Sequence, residues 1–183
     1  MYNKPTGTAS KYSIGPGRVF LGPVGATPSV DVGYVKDDFT ITLTRTKVDV
    51  RQGSPQILID QLASAEDMMI EFKGIEWNLD AIARLCGAGA TSVSGADLVY
   101  KLGGSPGFSQ MALMYQHRMA DGGTMSLDFW KVIGEGQVVI SAKAADLHDV
   151  QYKFNVMDGG STDWAGASLV DGQGLIRVRH TRV

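Results

Sequence analysis

The residues suited to chemistry are few and scattered. Gly103-Gly104-Ser105-Pro106-Gly107 reads as G-x-S-x-G, the pattern in which a serine on a sharp turn attacks an acyl carbon. That geometry needs the backbone N–H after the serine as an oxyanion donor and a helix after the turn. Here the next residue is Pro106, which has no N–H, and the segment beyond has the two-residue period of a strand, so Ser105 reads as part of a surface loop. His117, His148 and His180 fall on different predicted elements, without the i, i+4 spacing that brings two imidazoles to one metal. Asp158-Gly159-Gly160-Ser161-Thr162-Asp163 loosely resembles a calcium loop, but its ligand spacing departs from the EF-hand pattern and the terminal Glu is missing. Cys86 is the single cysteine; it reads as a small buried hydrophobe and forms neither an internal disulfide nor a thiolate zinc site on its own. The expectation is a protein that is not an enzyme and uses no metal or cofactor.

Composition narrows the classes further. A chain of 183 residues, 44% hydrophobic and 20% charged, is expected to fold as one domain, 1–183, burying roughly 70% of its unfolded surface. The N-terminal stretch has no apolar h-region, and no apolar run approaches the roughly 18 residues of a bilayer span, so the expectation is a protein made in the cytoplasm with no membrane partner. A formal net charge of −2 lacks the basic excess that gripping nucleic acid requires. Glycine, at 23 residues, is nearly twice its average share of roughly 7%.

The elements that would position these side chains are mostly strands. Residues 1–16 read as an extended arm. Phe39, Ile41 and Leu43 alternate with Thr40, Thr42 and Thr44, which predicts a half-buried strand. After Arg45 the apolar positions change parity to Val48 and Val50, and Gln52-Gly53-Ser54-Pro55 follows; a bulge and a hairpin tip account for both. Met68, Ile70 and Phe72 mark the return strand, so residues 46–66 form a protruding arm. Asn78 as N-cap, Leu79, Ile82 and Cys86 at helical spacing, and Gly87 as stop predict one short helix over about 78–86. Met111 to Met119, the turn Asp121-Gly122-Gly123, and Met125 to Trp130 predict a hairpin. Further strands are expected from Val138 to Ala144, Tyr152 to Val156 and, after a glycine-spaced loop, in the C-terminal residues 174–183. About eight strands joined mostly by hairpins, with one flanking helix, predict a mainly β antiparallel sandwich or barrel.

Gly15-Pro16-Gly17-Arg18-Val19-Phe20-Leu21-Gly22-Pro23, then Val32-Gly33-Tyr34-Val35-Lys36-Asp37-Asp38-Phe39-Thr40-Ile41-Thr42-Leu43, the long arm, and Met69-Ile70-Glu71-Phe72 leading into the helix together resemble the major tail (tube) proteins of long-tailed bacteriophages. The fold of that family is shared with contractile-tail and secretion-system tubes. The resemblance spans about residues 15–90. It implies a structural virion protein whose hexameric rings stack into a tail tube, assembled in the host cytoplasm, through which double-stranded DNA passes on ejection. Its implied partners are further copies of itself, the tape measure protein, the tail tip or initiator, and the tail terminator.

On this chain the parts implied to bridge rings are residues 1–16, the arm and the C-terminal strand. The candidate interface residues on the arm are Thr46, Lys47, Asp49 and Arg51, with Gln52, Gln56, Ile57 and Leu58 about its tip; Arg177 and Arg179 are those of the last strand. Candidates for lining the lumen are Thr40, Thr42 and Thr44, and the acids Asp37, Asp38, Glu71 and Asp128. A duplex roughly 20 Å across calls for a backbone cylinder about 40 Å wide, hence about 26 strands at about 4.8 Å spacing, which six subunits lending about four strands each would fill. The reading from another class is a β-sandwich module binding a sugar or small ligand, marked by exposed aromatics in a concave site.

Overall fold

Two-residue alternation sets most of the chain as strand, and the computed structural model describes residues 17–36, 38–85, 92–95, 97–99, 109–135, 139–141, 149–169 and 174–181. In chain order the elements are β1 (Arg18–Pro23), β2 (Val30–Tyr34), β3 (Thr40–Gln52), β4 (Ile57–Gly74), α1 (Leu79–Leu85), β5 (Ser92–Ser94), β6 (Asp97–Val99), β7 (Gln110–Arg118), β8 (Thr124–Gly134), β9 (Val139–Ser141), β10 (Asp149–Met157) and β11 (Ile176–Thr181). Among the described residues the fold is mainly β with one short helix, as the sequence predicts. Nine strands belong to one antiparallel sheet that is not closed into a barrel, while β5 and β6 pair separately. Residues 1–16, Asp37, Cys86, Ser105 and His148 lie outside the described residues, as does Arg182.

The sheet order is β2-β1-β7-β8-β10-β4-β3. One edge of β8 follows β7; the other is divided, with residues 131–134 paired to β10 and residues 124–129 paired to β11. In the same way β10 gives one edge to β4 and shares the other between β8 and β9. The sheet curls enough for Val35, just past β2, to bridge Gly74 at the end of β4. Its concave side holds the core, where Val19 and Leu21 of β1, Ile70 and Phe72 of β4, Leu113 of β7, Phe129 of β8, and Tyr152 and Phe154 of β10 are all nearly inaccessible to water.

The helix closes this core for the reasons its sequence states. Asn78 Oδ1 accepts from the N–H groups of Asp80 (3.0 Å) and Ala81 (3.2 Å), satisfying two of the donors a helix start leaves open. Asp80 in the first turn and Arg84 in the last complement the helix dipole. Ala81, Ile82, Ala83 and Leu85 are buried. Leu85 lies against β8 so closely that a side chain at Gly134 would come 2.7 Å from its carbonyl oxygen.

The arm departs from the sequence reading in an instructive way. β3 and β4 stay paired from Thr40↔Glu71 out to Gln52↔Ile57, and the turn at 53–56 holds Gly53 at φ +97°, a conformation that favours glycine. The two register shifts place the extra residues, Ser64 and Ile59, on β4 and not on β3. So the change of apolar parity after Arg45 is not a bulge in β3, which keeps its alternation without interruption. Apolar character moves from one face of the ribbon to the other. Phe39 and Ile41 pack against the core, whereas Val48 and Val50 fall on the face of Thr40, Thr42 and Thr44. The half-buried part of β3 is also shorter than expected, because Leu43 is already 44% exposed.

Candidate functional site

Three surfaces are built from the residues singled out by the sequence. The first is the arm. Thr46, Lys47, Asp49, Arg51, Gln52, Gln56, Ile57 and Leu58 are all exposed on it. On the face that continues the subunit's core side, Arg45 pairs with Glu66 (2.6 Å), Arg51 with Asp49 (2.8 Å), and Gln61 Nε2 donates to Asp49 Oδ1 (3.0 Å). The opposite face carries Val48 across from Leu62, Val50 across from Asp60, and Ile57 across from Gln52. These four apolar side chains are 38–67% exposed, as are Leu58, which lies across from Arg51 on the other face, and the extra residue Ile59. A run of such residues standing clear of the subunit is the mark of an interaction surface. The tip residues Ile57 and Leu58 were legible in the sequence; Val48, Val50 and Leu62 emerge as partners only once the register is known.

The second surface is the outer side of β3, β4, β10 and the end of β8. Thr40, Thr42 and Thr44 pair with Glu71, Met69 and Asp67, and Glu71 and Met69 pair in turn with Lys153 and Asn155 of β10. Asp38, Thr40, Glu71 and Lys73 line one open depression. Five of the seven residues proposed to line a lumen, Thr40, Thr42, Thr44, Asp38 and Glu71, are therefore brought to one side of one sheet. Asp37 lies outside the described residues. The face is balanced in charge and not acidic: Asp38, Asp67 and Glu71 are matched by Lys73, Lys131 and Lys153. Glu71 is itself engaged, with Lys153 Nζ at 3.6 Å and the Gln151 amide donating to it.

Asp128 does not join that face. Alternation does turn it away from the core, but it is 0% exposed and its carboxylate accepts from Arg179 Nε (2.6 Å) and Nη2 (3.1 Å) and from Arg177 Nε (3.1 Å). Residues 158–169 cover it, bringing Asp163 to Arg177 Nη1 at 3.0 Å and Trp164 edge-on to Trp130 with ring centres 5.0 Å apart. The Arg177 guanidinium also lies 4.7 Å from the Trp130 ring centre. Arg177 and Arg179 are thus not a free docking strip: their charge is neutralised within the chain, and they form a clasp that fastens β11 to β8.

The clasp also explains the acidic glycine loop. Asp158 Oδ1 accepts from Gly160 N (3.0 Å), and Asp163 Oδ1 accepts from Ala165 N and Ala167 N (both 2.9 Å), so these carboxylates brace their own backbone. The Ala167 hydrogen bond, with help from Arg177 and Ala165 and against the effect of desolvation, holds Asp163 below the usual carboxylate range. Its folded-state pKa being depressed, the stabilisation is present above the unfolded value of about 3.9 and is lost as pH falls through the folded one. Acidification below about pH 4 is expected to loosen Trp164 from Trp130, read as a change in tryptophan emission. Asp163→Asn should lack that step; a variant retaining it would assign the step elsewhere.

The remaining candidates do not converge. His180 Nε2 lies 3.4 Å from Asp121 Oδ2, and His117 is buried with neither ring nitrogen hydrogen-bonded among the described residues. No group of three or more His, Cys, Asp or Glu side chains that could hold a metal gathers among the described residues. No helix among them is long and apolar enough to cross a membrane. No protein-family model matches the chain, and no curated protein matches it.

Proposed function

We propose that this chain is a structural subunit that assembles with copies of itself into stacked rings, forming a virion tail tube that conducts double-stranded DNA. The observation that carries this reading is the arm, a ribbon reaching beyond the core with its apolar face on the side opposite the subunit's own core. Among the described residues nothing covers this face, whose apolar side chains are 38–67% exposed. It gains cover when another molecule supplies it.

The polar sheet face supports the conduit. Six copies of a four-stranded face give 24 strands, a circumference of about 115 Å at about 4.8 Å per strand, close to what a duplex with clearance requires. Threonines and paired charges on that face offer phosphate little net attraction, and weak attraction suits passage, because each unpaired Lys or Arg contact adds affinity. A sugar-binding platform finds less support. Trp130 and Trp164 pack against each other under the clasp, while Trp77 stands at the start of α1.

Replacing Val48 to Leu62 by an Asn-Gly turn, which closes the ribbon at the paired residues Lys47 and Ala63, tests the reading. Purified wild-type protein at high concentration should form rings or tubes with a central hole in negative-stain images. The shortened protein should keep its circular dichroism spectrum, since none of the removed residues is buried, and form no tubes. Normal tubes without the arm would overturn the role given to it.

A further inference from the structure

The β7–β8 hairpin gathers two methionines around a histidine near its turn. His117 of β7 lies directly across from Met125 of β8, and Met119, two residues after His117, donates its N–H to Gly123 O (2.8 Å) just past the strand. Alternation turns all three side chains to the side of Leu113, Leu127 and Phe129, the core face of the hairpin. His117 is 5% and Met119 8% exposed, and Met125 is half-buried. The Tyr115 ring lies nearly parallel to the imidazole, with centres 6.4 Å apart, and neither imidazole nitrogen has a hydrogen-bond partner among the described residues. Volume alone does not account for such a residue. A leucine or phenylalanine would fill the same place, whereas an imidazole with both nitrogens idle loses its hydration without replacement. A buried polar group left open in this way points to a bound species that supplies the missing contact.

We propose that His117, Met119 and Met125 bind one cuprous ion, with an imidazole nitrogen and the two thioether sulfurs as its ligands. Side chains directly opposite in an antiparallel pair have Cβ atoms about 5 Å apart, and those on the diagonal about 7 Å. Methionine has three rotatable bonds, so both sulfurs can reach an ion held on the imidazole. The donor set decides which ion. Thioethers are soft ligands that select Cu(I), and imidazole suits copper as well, whereas calcium and magnesium take oxygen donors. No group of three His, Cys, Asp or Glu side chains that could hold a harder ion gathers among the described residues. His180, across from Met125 on β11, is engaged elsewhere, its Nε2 lying 3.4 Å from Asp121 Oδ2. The way in runs past Met125 from the exposed turn residues Asp121 and Gly122. All three ligands belong to one hairpin, so the site is complete in a single copy and does not depend on assembly.

Anaerobic titration with Cu(I) kept reduced by ascorbate, in competition with a cuprous-selective chelating dye, provides the test. Wild-type protein should take up one equivalent, and X-ray absorption of the complex should show both sulfur and nitrogen around the copper. Met119→Leu combined with Met125→Leu, swaps of similar volume that cores tolerate well, should weaken binding by at least about tenfold, since even changes around a metal's ligands cost roughly 10–100-fold. His117→Phe should weaken it as much. Cys86→Ser, which removes the single thiol, and Met69→Leu, on the other face of the sheet, should bind as wild type does. Circular dichroism shows which variants keep the fold. Wild-type protein that takes up no Cu(I), a folded double-leucine variant that binds as tightly as wild type, or binding that disappears in Cys86→Ser overturns the site.

Discussion

Phe72→Ala is expected to lower the free energy of unfolding by about 4 kcal/mol, within the range of 3–5 kcal/mol for deleting a buried aromatic ring. Phe72 sits where the two halves of the curled sheet meet. Its ring centre is 4.9 Å from Tyr152, 5.5 Å from Phe39 and 6.2 Å from Phe154, and its side chain is 2% exposed. The backbone around it is paired on both sides, to Tyr152 and through Glu71 to Thr40, so the site has little freedom to collapse around the missing ring. Against a typical total of 5–15 kcal/mol such a loss is severe. Denaturant titration at unchanged slope would measure it, with Phe72→Leu as the milder companion. A loss below about 2 kcal/mol would mean that the core re-forms around the gap.

Asp128→Ala is expected to cost about 3 kcal/mol, and the loss should be local. Removing one partner of a buried charge pair leaves the others without compensation, which typically costs 3–5 kcal/mol. The lower end applies here because Arg179 is partly exposed and Arg177 keeps Asp163. Amide exchange should speed up first in Ile176–Thr181, while the β4 and β10 amides keep their protection. Asp128→Asn, which retains an acceptor, should lose less. A double-mutant cycle with Arg179→Ala isolates the pair; additive losses would show that Asp128 acts through packing alone.

The core side of the fold was legible wherever alternation coincided with burial by the same sheet. Met68, Ile70 and Phe72 are buried as their spacing requires, the helix starts at its Asn78 cap, and the turn Asp121-Gly122-Gly123 joins β7 to β8. What alternation cannot report is what lies over the other face. Ser126, Asp128 and Trp130 share the non-core side of β8 and would be solvated on an open sheet, yet all three are buried: a segment some 30 residues further along folds over Trp130, and the arginines of β11 hold Asp128. Trp130 is the residue that hinted at this cover, since a large indole is poorly suited to a bare polar face. The arm shows the same limit. The change of parity at Val48 was plain in the sequence, but a bulge and a change of apolar face leave the same trace there. Only the cross-strand register, which assigns the extra residues to β4, separates them.

The divided edge of β8 has a consequence for the order of events during synthesis. Residues 131–134 of that edge are satisfied by β10, but residues 124–129 must wait for 176–181, which are made after β10. At roughly 5–20 residues per second the nascent chain therefore carries an open strand edge for seconds after most of its sheet has been made. Pairings this distant in sequence are also slow to find. The clasp on Asp128 thus closes only after the other strands of this sheet have been made, when the arginines of β11 arrive.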